Sequence, residues 1–252
     1  MGRTDTATKN IVIVGATSGI GLEVARQCIA AGWQVGAAGR RAEELEQLRL
    51  TAPGQVVTRP IDVTRSDAPE QLQQLIEQLG GMDCYLHVAG VGHQNLTLDA
   101  ETELRTVQTN VEGFTRMVTA AFEWFARRGE GHIAAVTSIA GTQGLGSAPS
   151  YSASKRFQNT YLDALSQQAR MRRLKIRFTD IRPGFVATAL LNDRQHYPML
   201  MRPERVAVRI FRALVRRERS VIIDRRYALL VFFWRLIPRI LWERLDIRTR
   251  KP

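Results

Sequence analysis

The sequence predicts an α/β fold, a doubly wound parallel sheet of about seven strands with helices on both faces. Three observations carry that prediction. Short apolar runs of strand length alternate with longer amphipathic stretches; a cluster of glycines separates the first such run from the first helix; and no repeat, low-complexity tract or long Pro/Gly linker divides the chain. With 252 residues, 44% of them hydrophobic, there is material for one large core. The whole of 1–252 is therefore expected to be a single domain, with 10–190 as its core and 190–252 as a loop and C-terminal extension.

Taken in order, the strand runs are NIVIV (10–14), QVGAA (34–38), QVVTRPI (55–61), DCYLHVA (83–89), HIAAVTS (132–138) and KIRFTDI (175–181), with SVIID (220–224) as a late seventh. Between them, APEQLQQLIEQLG and TELRTVQTNVEGFTRMVTAAFEWFARRG read as amphipathic helices. The helix opening at Gly19 sets Ile20, Val24, Cys28 and Ala31 on one stripe and stops at Gly32. Pro183-Gly184 marks a turn leading away from the sheet after the sixth strand.

Between the first strand and the first helix stands GATSGIG (15–21). Glycine permits a tight turn and lets backbone approach a ligand with no Cβ in the way. The helix start beyond it offers free N–H groups and a positive dipole end to a pyrophosphate. In this strand–loop–helix context the motif predicts dinucleotide binding on a Rossmann-type sheet. An acidic residue closing the second strand would hydrogen-bond the ribose 2′-hydroxyl of NAD(H). Here the strand runs into AAGRR, with Arg40 and Arg41 at that place, so NADP(H) is preferred over NAD(H).

The net charge of +12 is local. Residues 202–252 hold fifteen Arg or Lys and five Asp or Glu, and the preceding 201 residues are close to neutral. No helix-turn-helix, zinc-finger or RNA-binding signature accompanies the charge, which argues against a nucleic-acid partner. The four scattered histidines lack ligand spacing and predict no metal site. Cys28 and Cys84 form no disulfide framework and fit a reducing compartment. The polar start, MGRTDTATKN, lacks an apolar leader, so a cytoplasmic location is expected. Gly2 with Thr6 matches only the loose myristoylation pattern.

The tail RRYALLVFFWRLIPRILWERLDIRTRK carries apolar residues among arginines and tryptophans but is interrupted well short of the ~20 apolar residues of a bilayer span. It fits two arrangements. In one, 226–252 lies in the headgroup region of an anionic membrane. In the other it packs on the domain, closes a pocket or meets a second subunit.

Only four of the 36 basic residues are lysines, and one of them, Lys155, stands four residues after Tyr151 in YSASK. Together with GATSGIG, DV (62–63), VAG (88–90), TNVEG around Asn110, VTSIAG around Ser138 and PGFVAT (183–188), this run resembles the classical short-chain dehydrogenase/reductase family over residues 10 to 190. The resemblance implies a catalytic tetrad of Asn110, Ser138, Tyr151 and Lys155. It implies that Gly15, Thr17, Ser18, Gly19, Ile20 and Gly21 surround the cofactor phosphates, that Arg40, with Arg41, meets the 2′-phosphate, and that Asp62 and Val63 lie against the adenine. Ala89, Gly90, Pro183, Gly184, Val186 and Thr188 would complete the cofactor site, Thr188 at the nicotinamide amide. A homo-oligomer is also implied. Val14 and the His87-Val88-Ala89-Gly90 run depart from the family's usual Thr and Asn-Asn-Ala-Gly.

The chemistry suits these residue types. Carbonyl reduction needs a proton on oxygen, and a tyrosine of ordinary pKa ~10 is a poor base in the reverse direction. A nearby ammonium favours the phenolate, so Lys155 is expected to lower the Tyr151 pKa. Residues four apart share a helix face, and both side chains should enter one pocket. Ser138 would hold the substrate oxygen against Tyr151, and Asn110 would support a proton relay through Lys155. His93 either lines the substrate entrance or stands in solvent. The loop 190–204 would cover a small carbonyl or alcohol substrate, apolar by the character of loop and tail. The rival readings are a non-catalytic nucleotide sensor or scaffold on the same fold, and adhesion through the basic tail.

Overall fold

The computed structural model describes residues 9–191 and 197–247. Gly2 and Thr6, positions 192–196 of the substrate loop and the last five residues of the tail lie outside the described residues. The described residues form a seven-stranded sheet, β1 (Asn10–Val14), β2 (Gln34–Gly39), β3 (Val56–Pro60), β4 (Cys84–His87), β5 (Glu130–Val136), β6 (Lys175–Pro183) and β7 (Ser220–Ile223). Every pairing is parallel, and the order is β3-β2-β1-β4-β5-β6-β7. The doubly wound parallel sheet expected from the apolar runs is what forms.

The helices are α1 (Gly19–Ala30), α2 (Ala42–Thr51), α3 (Ala68–Gln78), α4 (Ala100–Val107), α5 (Phe114–Arg128), α6 (Pro149–Met171), α7 (Pro203–Arg216), α8 (Arg225–Leu236) and α9 (Arg239–Trp242). Two apolar clusters flank the sheet. One joins Ile11, Ile13, Val24 and Cys28 to Val206, Ile210 and Leu214 of α7, and carries Tyr227 and Val231 of α8. The other joins Val12, Val14 and Tyr85 to Leu72 and Leu75 of α3, Phe114 and Phe125 of α5, and Leu162 of α6. Alternate residues of β1 therefore serve opposite faces, the reason this strand is apolar throughout. On α1, Val24 and Cys28 are buried while Ile20 and Ala31 are half-buried, so the stripe lies along the edge of the core.

Two local departures from the sequence reading shape the site. The stretch 102–129 is not one regular helix: a π-helical segment, Gln108–Gly113, separates α4 from α5. At its end a Cβ on Gly113 would sit 2.8 Å from Val63 Cγ2, so the wide turn is packed tightly on the loop after β3. The fifth strand ends at Val136 rather than at 138. Ser138 thus lies beyond the sheet, where its hydroxyl accepts a hydrogen bond from Ala140 N at 3.0 Å and caps the 3₁₀ turn Ile139–Thr142.

Candidate active site

The carboxyl ends of β1, β4, β5 and β6 open into a cleft of about 1790 Å³. Its lining includes Gly15, Thr17, Ser18, Gly19 and Ile20, then Arg40, Arg41, Asp62, Val63, Ala89 and Gly90. It also includes Ser138, Tyr151, Lys155, Pro183, Gly184, Val186 and Thr188. This is the position where open α/β sheets bind ligands, at the point where the strand order reverses between β1 and β4. Gly21 lies beneath the lining, packed on the Gly15 carbonyl, and Asn110 is fully buried behind the cleft.

At the cofactor end the loop is built for close backbone approach. Gly15 has φ +100° and Gly19 φ +53°. A Cβ at Gly15 would stand 2.5 Å from Ala89 N, and one at Gly19 would stand 2.9 Å from Thr188 Cγ2. No side chain caps α1, since Ser18 makes no capping hydrogen bond, so the first N–H groups of the helix remain for a ligand. Arg41 donates to Thr17 Oγ1 at 3.0 Å and stands 3.9 Å from Glu44. Arg40 is exposed and forms no ion pair among the described residues. Burial raises the Asp62 carboxyl pKa, but the Thr64 amide and hydroxyl (3.0 and 2.7 Å), with Arg40 and Arg65 nearby, hold it below its ordinary value. Uncapped helix start, Cβ-free cradle and cationic rim together fit a dinucleotide.

At the other end, the Pro149 start of α6 sets Tyr151 and Lys155 one turn apart on the face toward the cleft. The Ser138 hydroxyl stands beside the Tyr151 phenol, near enough to favour its ionised form. Lys155 Nζ lies 5.8 Å from the Tyr151 ring centroid and donates to Val136 O and to Gln158 Oε1, both at 3.1 Å. Burial lowers the Lys155 pKa to about 8, and the Asp180 carboxylate opposes that fall. The expected lowering of Tyr151 is not found. Burial raises its pKa, and the neighbouring Ser138 hydroxyl only moderates the rise. The physical reason is burial, which outweighs the neighbouring groups, while the ammonium donates to Val136 O and Gln158.

Asn110 sits in the π-helical segment and grips the loop after β4. It accepts from Val91 N at 2.9 Å, and its Nδ2 donates to Val91 O at 2.7 Å and to Ser154 Oγ at 3.1 Å. Its own carbonyl accepts from Gln158 Nε2 at 2.9 Å. A continuous path thus runs from Lys155 through Gln158 to Asn110. His93 is exposed and borders the cleft, so both alternatives for it hold. At the family's departures, Val14 is a buried strand residue, and His87 shares a 2.9 Å hydrogen bond with the Tyr85 hydroxyl. Burial and the Lys155 charge keep His87 neutral, its pKa lowered to about 3.

Sequence reasoning missed three groups here. Gln158 carried no signal beyond being one helical turn after Lys155. Asp180, buried in β6, accepts from Thr137 Oγ1 (2.6 Å) and Asn159 Nδ2 (3.0 Å) and pairs with Arg182 (2.6 Å). A carboxylate inside an apolar strand run was the available signal for it. Gly92 lies under the Tyr151 ring, where a Cβ would stand 2.8 Å from Cε2.

Loop and tail wall the cleft on its other side. Ala187 N bonds Met201 O and Met201 N bonds Phe185 O, which pinches the base of the loop. Tyr227 of α8 donates to Pro198 O at 2.7 Å and accepts from Phe185 N at 3.1 Å, tying the tail to that loop. Trp242 Nε1 donates to Gly144 O at 2.7 Å. Leu190, Leu191, Leu230, Trp234, Ile237 and Trp242 make this wall apolar.

Comparison with known proteins agrees with this architecture. Residues 9–198 match the short chain dehydrogenase family. An uncharacterized oxidoreductase of Myxococcus xanthus is 31% identical over 249 residues, covering 96% of this chain and 98% of the relative. Dehydrogenase/reductase SDR family member 7B of Bos taurus is 29% identical, covering 96% and 81%. Among solved structures, gox2181 superposes with a TM-score of 0.78 at 20% identity over 88% of this chain and 96% of that one. ElxO, solved with NADP bound, gives 0.77 at 19% identity over 88% and 100%. With its sheet order, glycine loop and matched span, the chain belongs to the short-chain dehydrogenase/reductase family of oxidoreductases.

Proposed function

We propose that the protein is an NADP(H)-preferring oxidoreductase interconverting a ketone or aldehyde with an alcohol, on an apolar substrate. The observation that carries the reading is the Tyr151–Ser138 hydroxyl pair, set beside the buried Lys155 in the same cleft as the glycine loop. The nicotinamide, when bound, supplies or accepts the hydride. Gly15, Thr17, Ser18, Gly19, Ile20 and Gly21 would hold the phosphates, Arg40 with Arg41 the 2′-phosphate, and Asp62 and Val63 the adenine. Ala89, Gly90, Asn110, Tyr151, Lys155, Pro183, Gly184, Val186 and Thr188 would enclose the rest. Arg40 is the better placed arginine, because Arg41 is already engaged with Thr17 and Glu44.

Tyr151 acts as the acid in reduction. Burial raises its pKa, which keeps the phenol protonated until an oxygen of the substrate develops negative charge beside it. Ser138 accepts from Ala140 N, which leaves its own hydrogen to donate toward the substrate oxygen or the departing phenolate. Lys155, with a pKa of about 8, is mostly ammonium at neutral pH and stabilises that phenolate. Val136 O and Gln158 Oε1 hold the ammonium in place, and the Asn110 carbonyl in turn holds Gln158.

The test is NADPH oxidation against ketones and aldehydes from short polar to long-chain, with Tyr151→Phe as the control. Turnover that falls by about 10²–10⁴-fold in the variant, with NADPH binding retained, supports the reading. NADPH binding without turnover on any carbonyl would favour the nucleotide-sensing scaffold instead.

A further inference from the structure

We propose that α8 and α9 dock on the surface of an anionic phospholipid bilayer, with a lipid phosphate in an arginine pocket between α7 and α8 and acyl chains against the outer face of α8. The three sides of α8 have different surroundings. Tyr227 and Val231 enter the core. Leu230, Trp234 and Ile237, spaced four and three residues apart, line the cleft. The remaining side is apolar and uncovered: Leu229 and Phe232 are each 60% exposed, Phe233 56% and Leu236 65%. Ile240 and Leu241 of α9 add further exposed apolar side chains. Contiguous exposed apolar surface of this kind marks an interaction site.

The adjoining charge selects the occupant. A surface pocket of about 440 Å³ is lined by Arg209, Arg212, Arg216, Ile222, Asp224, Arg225 and Ala228. Arg209 is held by Glu218 at 2.8 Å, and Asp224 is taken by Arg226 at 2.6 Å. Arg212, Arg216 and Arg225 form no salt bridge among the described residues. Several guanidinium groups around one concavity suit a phosphate. Arg225 and Ala228 lie one turn before Leu229 and Phe232 on α8, so a headgroup in the pocket leaves its chains beside the exposed apolar face. Arg235, Arg239 and Arg244 are exposed in the same stretch of chain, Arg239 paired with Glu243. Pairing it with a second copy would bring arginines against arginines, whereas an anionic bilayer offers the opposite charge together with apolar depth. No helix among the described residues is long and apolar enough to cross a membrane, so the contact is with its surface.

This docking does not depend on the oxidoreductase reading, and its test measures binding alone. The full chain is floated with vesicles of phosphatidylcholine, or of phosphatidylcholine mixed with phosphatidylglycerol. Wild type should bind the anionic vesicles about tenfold or more tightly than the neutral ones, given ~1 kcal/mol per basic residue at the surface. Phe232→Asp with Phe233→Asp should abolish binding while the thermal midpoint stays unchanged, because both side chains are exposed. Arg212→Gln with Arg225→Gln should remove the preference for anionic vesicles. Absence of wild-type binding, or binding indifferent to the phenylalanine changes, overturns the proposal. So does a wild-type dimer that fails to float and becomes monomeric in the phenylalanine variant, since the face would then join two copies.

Discussion

Gln158 bridges two residues that lie far apart in the chain: its Nε2 donates to the Asn110 carbonyl at 2.9 Å while its Oε1 accepts from Lys155 Nζ at 3.1 Å. The π-helical segment presents that carbonyl away from the regular helical ladder, so it needs a partner outside the segment. Both of its partners are buried, and neither atom can turn to bulk water for compensation.

Gln158→Leu should therefore lower kcat by about 10- to 100-fold, the range of a hydrogen bond to a charged group, ~1.5–3 kcal/mol. The KM for NADPH should change little, because Gln158 does not line the cleft. Gln158→Glu keeps an acceptor for the ammonium and should recover part of the loss. Steady-state kinetics on the two variants decide this, and equal kcat in all three proteins would remove Gln158 from the relay.

Lys155 should titrate near pH 8 in the free protein. With four lysines in the chain, NMR of ¹³C-labelled lysine can resolve it. Asp180 favours its charged form, so Asp180→Asn should move the midpoint down. The folded pKa lies below the unfolded value of ~10.4, so between about pH 8 and 10.4 the folded state binds fewer protons than the unfolded one. The contribution of this group to stability should rise with pH across that window. Denaturant unfolding of wild type against Lys155→Met, followed over the window, measures the difference.

Gly92→Ala places a methyl group 2.8 Å from Tyr151 Cε2, closer than carbon atoms pack. The ring has to shift, and kcat should fall at least tenfold, as proton transfer depends on hydrogen-bond reach. Binding of NADPH, followed by fluorescence, should be near wild type.

Arg40→Ala should raise the KM for NADPH by about 10- to 100-fold and leave that for NADH nearly unchanged, since only the 2′-phosphate distinguishes the two. An equal change for both cofactors would assign Arg40 a role other than 2′-phosphate recognition.

The strands were legible because strand length and apolar run are local properties. All seven runs appear in the sheet, the first with both ends unchanged and no end shifted by more than two residues. The glycine loop was legible for the same reason: a missing Cβ and a positive φ at Gly15 and Gly19 belong to single residues. Tyr151 and Lys155 share a helix face by their spacing alone. The π-helical segment was not legible, because an amphipathic stretch reads alike whether its hydrogen bonds span four residues or five. The Tyr151 pKa was read in the wrong direction. Sequence places an ammonium four residues away, but the burial that raises the phenol's pKa is set by how distant segments pack around it.

By itself the sequence determined the parallel sheet, the position of the glycine loop and the residues that gather at the carboxyl ends of the strands. Tertiary structure alone decided that Asp180 of β6 faces Thr137 and Asn159 behind Lys155, and that Gln158 meets Asn110 across 48 positions of chain. It also decided how the tail divides its apolar residues, with Leu230 and Trp234 toward the cleft and Phe232 and Phe233 outward. The reason is common to all three. Apolar period and glycine content act on neighbours along the chain, whereas hydrogen-bond partners and covered faces depend on which distant segments packing brings within a few ångströms.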